Sequence, residues 1–158
     1  MTQNDQKRSP AWNNFLKAGI IVAVFLVVAT AAFQDKGISA EYTDTGVILR
    51  GGSSRTEILF EQVQAVEELS TPFELGEPIE AEEKESYFAG SFHDGGLPGE
   101  EYLLYLDKVY LDQEALAASG GDGLLLLLRY DEGQVVIGSD TVDMRFLRDY
   151  LRSGAGLD

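Results

Sequence analysis

The sequence contains no cysteine and a single histidine, His93. The lack of cysteine excludes disulfides, thiolate nucleophiles and cysteine metal sites. Ser91, His93 and Asp94 supply the residue types of a hydrolase triad, but a triad converges from distant segments, and near-adjacent positions of an extended chain point in different directions. We therefore expect His93 to be an exposed loop residue. We expect no catalytic, cofactor-binding or metal-ligating residues and no bound cofactor.

Basic residues are scarce in the larger part of the chain. From residue 37 onward eight basic residues face 25 acidic ones, a net charge of −17, and the only lysines there are Lys84 and Lys108. A surface this negative repels nucleic acids and anionic lipid headgroups. Arg50 and Arg55, which flank the turn 51–54, are too few to hold an inositol phosphate. The acidity fits an extracellular domain in a salty medium, or serves solubility alone.

Long apolar runs are also absent, except for residues 18–34, which read AGIIVAVFLVVATAAFQ and carry no charge. As a helix this segment spans about 25 Å, slightly less than the roughly 30 Å of bilayer hydrocarbon. Phe15 and Leu16 extend its reach if Lys17 snorkels to the interface. The pattern predicts a transmembrane signal anchor, preceded by a tail at 1–17 and followed by a domain at 35–158.

Charge around the apolar segment predicts its orientation. Lys7, Arg8 and Lys17 precede it, so the positive-inside rule places the tail 1–17 in the cytoplasm and the domain 35–158 outside. A second interpretation stays open, because Ala29-Thr30-Ala31 resembles the site of a cleaved signal peptide, and cleavage near Ala31 would release a secreted domain. Both interpretations put the domain on the same side. We expect a single-pass protein of the cell membrane.

The domain has the pattern of six or seven strands followed by one helix. Strands are predicted in regions bounded by turn residues, with Thr43-Asp44-Thr45-Gly46 as the first turn and Asp131-Glu132-Gly133 as the last hairpin. Residues 70–86, which hold Glu80, Glu82, Glu83 and Glu85, read as a long solvated loop, as do residues 115–122. The glutamate cluster lacks the regular spacing of a calcium loop.

The last segment is predicted to be an amphipathic helix with Ser139 or Asp140 as its N-cap. Apolar residues recur at helical spacing and form one stripe: Val142, Phe146, Leu147, Tyr150 and Leu151. Arg145, Arg148 and Arg152 lie on the other side and in the last turn, where positive charge suits the helix dipole. We expect the apolar stripe to cover part of the sheet.

Three segments together carry a family resemblance. Tyr42-Thr43-Asp44-Thr45-Gly46-Val47, Ile58-Leu59-Phe60-Glu61-Gln62-Val63 and Tyr87-Phe88-Ala89-Gly90-Ser91-Phe92, with the closing hairpin and helix, resemble bacterial pleckstrin-homology-like (PH-like) domains over residues 38–152. The resemblance implies a mainly β fold, a half-open barrel of about seven antiparallel strands closed by the C-terminal helix. Members of the family are commonly attached to membrane segments. No functional residues carry over.

The run Leu124–Leu128 is apolar at every position, although alternate residues of a strand point to opposite faces. Leu124, Leu126 and Leu128 share one face, which we assign to the core. The other face, with Leu125 and Leu127 and with Val136 of the next strand, must be covered by the C-terminal helix, by a long loop or by a partner. We prefer cover from within the chain, and these three residues are the candidate partner surface if a partner covers the face instead.

Together these patterns predict a non-enzymatic, membrane-anchored interaction module that contacts another membrane or envelope protein. Its expected partners are the membrane, through the N-terminal helix, and a protein, but neither nucleic acid nor phosphoinositide. An extracytoplasmic hydrolase with an unrecognised site is the alternative. The single histidine and the absence of cysteine speak against it.

Overall fold

The computed structural model describes residues 37–120 and 123–157, which form a mainly β domain with two sheets and a C-terminal helix. The sheets do not close into a barrel. The predicted tail 1–17 and membrane helix 18–34 lie outside the described residues. Within the described part of the chain, no helix has the length and apolarity that crossing a membrane requires.

The small sheet has three antiparallel strands joined by two tight hairpins. They are β1 (Ser39–Thr43), β2 (Gly46–Gly51) and β3 (Ser54–Leu59), in that spatial order. The first hairpin turns at Asp44-Thr45, which confirms the predicted turn. The second turns at Gly52-Ser53, where Gly52 has a φ of +58°, a conformation that strains any residue with a side chain.

The large sheet has six strands in the order β4-β8-β9-β7-β6-β5. The strands are β4 (Val63–Leu69), β5 (Glu77–Glu83), β6 (Tyr87–Asp94), β7 (Leu97–Asp107), β8 (Leu125–Tyr130) and β9 (Gly133–Gly138). The described chain thus has nine strands instead of six or seven. β7 and β9 pair in parallel, whereas a wholly antiparallel arrangement was predicted.

Strand β5 corrects the prediction that residues 70–86 form a solvated loop. β5 lies at the edge of the large sheet and pairs with β6 alone among the described strands. Edge strands tolerate proline and exposed charge, so Pro78 and the glutamates that made this segment look like a loop suit it equally well. Most of its side chains are exposed, which removes the apolar alternation that would have identified it.

One face of the large sheet, called here the helix face, packs against the small sheet and the C-terminal helix α2 (Met144–Ala155). Met144, Leu147 and Leu151 of α2 are buried there. The N-cap is Asp143, whose carboxylate accepts the Phe146 N–H at 3.0 Å, instead of the predicted Ser139 or Asp140.

The predicted caps Ser139 and Asp140 bind elsewhere. The Ser139 hydroxyl and the Asp140 N–H both donate to the buried Asp107 carboxylate at the end of β7, at 2.8 and 2.7 Å. They fasten the loop that precedes α2 to the large sheet. The helix begins later than predicted, at Met144, where Asp143 supplies the capping carboxylate.

The opposite face of the large sheet, called here the loop face, is also buried. It is covered by the segment 70–76, a 3-10 helix at Lys108–Leu111 and the short helix α1 (Gln113–Ala118), none of which was predicted to form structure. Leu125, Leu127 and Val136, the candidate partner surface, are 0%, 2% and 0% exposed. They are covered from within the chain, so these side chains are not accessible to a partner in the described fold.

Candidate binding groove

A groove runs between strand β3 of the small sheet and the large sheet. Its largest cavity, about 590 Å³, is lined by every residue of β3 except Ile58 and faces Leu103, Tyr130 and Glu132 of the large sheet. Two further cavities of about 320 and 310 Å³ share Leu103 and other lining residues with it. The three cavities together are called here the β3 groove.

Strand β3 leaves one backbone edge open to the groove. It pairs with β2 alone among the described strands. The two-residue hairpin makes Gly51 and Ser54 a hydrogen-bonded pair, and the register then directs the backbone groups of Thr56 and Ile58 to β2. The N–H and C=O groups of Arg55 and Glu57 therefore point to the opposite edge. At the end of the strand the Leu59 N–H is already bonded to the Gln62 side chain, at 3.2 Å.

Tyr105 fixes the distance between β3 and the large sheet. Its side chain is fully buried, and its hydroxyl lies 3.0 Å from Ser54 Oγ and 2.7 Å from Thr56 Oγ1. Both hydroxyls belong to inward-facing residues of β3. These bonds satisfy the polar groups at the bottom of the groove and connect the two sheets, so the open edge is held in place before any ligand arrives.

The groove is strongly acidic. Its carboxylates are Glu57, Glu80, Glu82, Glu101 and Glu132, and one cation, Arg55, accompanies them. Hydrogen bonds from the hydroxyl and the N–H of Ser53 lower the pKa of Glu82, and Lys84 assists from 3.8 Å. Arg55 Nη2 lies 3.9 Å from Glu57 Oε2. The groove therefore presents excess negative charge to an incoming ligand.

The two arginines that flank the β2–β3 turn lie side by side, as a cross-strand pair. Arg50 donates to the Glu41 carboxylate at 2.6 Å, and Arg55 lies near Glu57. Each cation thus has an acidic neighbour on its own sheet. The local charge is close to balanced at this point.

His93 lies on β6, not in a loop, and its side chain is 42% exposed. Its Nδ1 is 3.1 Å from the Asp94 carboxylate, while Asp94 also accepts the Gly99 N–H. Ser91 lines the groove, yet no hydroxyl of the described residues bonds to His93. The described residues thus do not form a nucleophile–base pair around this histidine.

A cluster of four aromatic residues lies where α2 meets the small sheet. Phe146 and Tyr150 of α2 contact Tyr42, with ring centroids 4.9 and 5.0 Å away, and Tyr150 also contacts Phe60. Phe146, which was predicted to cover the sheet, is 50% exposed, and Tyr42 is 37% exposed. Burial, the Asp143 carboxylate and Tyr150 raise the pKa of Tyr42, which stays neutral. The cluster closes one end of the helix-face core.

The groove residues were not identified from the sequence. A signal was present in β3, where Ser54 and Thr56 alternate with Arg55 and Glu57, because small polar residues on the inward face of a strand indicate a polar cleft instead of a packed core. Tyr105 gave no comparable signal, since its partners lie about 50 residues away. No protein-family model, curated protein or solved structure significantly matches this chain.

Proposed function

We propose that this chain is a single-pass membrane protein whose extracytoplasmic domain is a non-enzymatic interaction module that contacts another membrane or envelope protein. The observation that carries the proposal is the β3 groove, a preformed polar cleft beside an open strand edge. Clefts of this kind recognise extended segments of other proteins. The residues 18–34 would anchor the module, with the tail 1–17 in the cytoplasm.

The fold is compatible with the PH-like resemblance to a limited extent. Two facing sheets with a C-terminal helix at their junction support it. Nine strands and the parallel β7–β9 pair depart from it. The proposal of an interaction module does not depend on this kinship, because the groove and its open edge are features of this chain.

The alternative is an extracytoplasmic hydrolase with an unrecognised site, for which His93, the single histidine of the sequence, is the available imidazole base. Replacing His93 with glutamine discriminates between the two functions, because an interaction module keeps its partner and its cellular phenotype, whereas a hydrolase that uses this imidazole loses its activity. Loss of phenotype in a His93→Gln variant that still folds and still binds its partner would favour the hydrolase.

Photo-crosslinking in native membranes tests the interaction module. A photoreactive amino acid placed at Glu132, in the groove, is compared with one at Glu114, on α1 and on the other side of the large sheet. We expect a discrete crosslinked species from position 132 and none from position 114. Absence of any crosslinked protein from the groove, and from other exposed positions, would remove the support for the proposal.

A reporter fused after Asp158 tests the topology. A protein that fluoresces only in the cytoplasm should stay dark there, since the lysine and arginine bias places the C-terminal domain outside. Full fluorescence in intact cells would reverse the orientation. N-terminal sequencing of the mature protein separates the retained anchor from cleavage near Ala31.

A further inference from the structure

We infer that the β3 groove binds an extended, lysine- or arginine-bearing segment of a partner protein, which pairs with β3 as a fourth strand of the small sheet. The inference rests on the proposed function, since it names the site and the partner chemistry of the interaction module. It is carried by the juxtaposition of an open strand edge, a cavity along that edge and the carboxylates that line this cavity and the two adjoining ones.

The backbone supplies the first part of the recognition. The N–H and C=O groups of Arg55 and Glu57 point away from β2, into the cavity of about 590 Å³. A strand in this cavity would satisfy these four groups, as in other cases where a peptide extends a sheet at its edge. The Gln62 side chain occupies the next backbone position at Leu59, so the added strand would end there.

Side chains facing the edge supply the second part. Leu103 is half-buried and Tyr130 is 5% exposed, and both line the groove opposite β3. Successive residues of an added strand point alternately to the large sheet and to solvent. One set of its side chains would therefore pack on Leu103 and Tyr130, and we expect small or β-branched residues at these positions.

Charge decides between candidate occupants. Five carboxylates and one guanidinium line the groove, so a segment with lysine or arginine gains attraction, while an acidic segment is repelled. A second copy of the domain also has a free β3, but each copy carries a net charge of −17 over residues 37–158. Self-pairing through two acidic grooves is therefore disfavoured relative to a basic partner.

Binding of three labelled octapeptides to the full-length protein in neutral detergent tests the inference, with fluorescence anisotropy as the measurement. The first alternates valine and lysine, the second alternates valine and glutamate, and the third is the first with alternate backbone nitrogens methylated. The first should bind, the second should not, and the third should bind more weakly than the first. Methylation keeps the charge but removes the strand pairing, and the loss of two backbone hydrogen bonds corresponds to about tenfold weaker binding or more.

Two variants at one position separate the backbone from the charge. Glu57→Pro removes an N–H that does not bond to β2, so the sheet is retained while strand addition is blocked. It should weaken the valine–lysine peptide about fivefold or more beyond the effect of Glu57→Gln, because one backbone hydrogen bond is lost. Glu132→Gln should weaken binding and reduce its salt dependence, and Glu114→Gln, which removes an equal charge outside the groove, should change neither.

The outcomes are distinguishable. Equal binding of the methylated and unmethylated peptides, or no binding of the valine–lysine peptide, would overturn strand addition. Concentration-dependent self-association that Glu57→Pro abolishes would identify a second copy as the occupant and also overturn the inference. If Glu57→Pro still crosslinks to a membrane partner through another surface, the interaction module stands and the assigned groove fails.

Discussion

The two faces of the large sheet are buried to a similar extent but covered by different kinds of structure. On the helix face a second sheet and the 12-residue helix α2 lie over Leu126, Leu128 and Ile137. On the loop face the cover consists of Phe73, Tyr110 and Leu116, each from a different short segment. Regular elements are supported by their own hydrogen bonds, whereas short segments depend on their anchoring residues.

A strand with no polar face thus lies in a sheet that is covered on both sides. The residues Leu125 to Leu128 alternate between the two faces as their positions require. The continuous apolar run predicts that both faces of the strand are buried. It does not predict which segments cover each face. We therefore expect the segments that cover the loop face to unfold independently, while the packing on the helix face is retained.

The largest effect is expected from a charge placed beneath each cover in the full-length protein. Leu147 of α2 is 0% exposed and Leu116 of α1 is 8% exposed. Leu147→Asp buries an unpaired carboxylate in the helix-face core, a cost of several kcal/mol, and should abolish cooperative unfolding of the domain. Leu116→Asp should release α1 while the sheets persist. Hydrogen exchange is the measurement, and equal loss of protection throughout the domain in both variants would show that the covers do not fail independently.

The next largest effect on stability is expected from a leucine-to-alanine substitution that leaves a cavity on either face of the large sheet. Leu126 and Leu127 are adjacent, buried and on opposite faces. Replacing either with alanine should cost about 2 to 5 kcal/mol of unfolding free energy. Leu126→Ala should lie nearer the upper end, because two regular elements cannot collapse around the cavity as short segments can. Chemical denaturation measures both values, and a larger cost for Leu127→Ala would contradict the expected difference.

Substitution of two glycines tests how well the segments covering each face accommodate an added methyl group. A Cβ on Gly154 of α2 would lie 2.2 Å from the Phe60 ring, and one on Gly96 would lie 2.3 Å from the Phe73 ring. Overpacking costs about 1 to 3 kcal/mol, but alanine in a helix recovers about 1 kcal/mol relative to glycine. Gly154→Ala should therefore be the milder change in thermal unfolding. The reverse order would mean that the segment carrying Phe73 moves aside freely.

The smallest expected effect depends on pH and concerns Asp107, which holds the loop between β9 and α2. Burial raises the pKa of Asp107 despite its hydrogen bonds from Asp140 and Ser139. A carboxyl with a raised folded-state pKa favours the folded state increasingly as pH falls through that pKa towards the unfolded value of about 3.9.

Asp107→Asn does not titrate and lacks this gain. The melting temperature of the Asn variant relative to the native protein should therefore decrease as the pH falls through this window, and should be constant well above it. A relative melting temperature that increases on acidification would mean that the pKa is lowered. Ser53→Ala serves as a comparison of opposite sign, because it removes the hydroxyl hydrogen bond that contributes most to the lowered pKa of Glu82, while the backbone N–H bond at position 53 stays.

Much of the fold could be predicted from local pattern. The turns at Asp44-Thr45 and Asp131-Glu132, the two faces of Leu125–Leu128 and the C-terminal helix all follow from residues close in sequence. Strand β5 was missed because exposed glutamates on an edge strand carry no periodic signal. The parallel β7–β9 pair was missed because it joins segments that other elements separate along the chain.

The site was less predictable than the fold. The apolarity of Leu125, Leu127 and Val136 was recognised from the sequence, but they do not form a partner surface, because distant segments such as that of Phe73 cover them. The β3 groove arises where two sheets diverge around Tyr105, and no local motif encodes that divergence. Membrane anchorage and orientation stay predictions from residues 1–36.

The first strand also determines how the domain responds to mechanical load. A force applied through the residues before β1 acts first on Ile38. This residue is buried, and its carbonyl accepts the Thr141 hydroxyl at 2.6 Å. Once that contact breaks, a force directed away from the small sheet separates β1 from β2 one residue pair at a time, from Ser39 towards Thr43. The five residues of β1 release about 17 Å of chain while the large sheet bears no load. β1 thus yields before the large sheet when the residues that precede it are pulled.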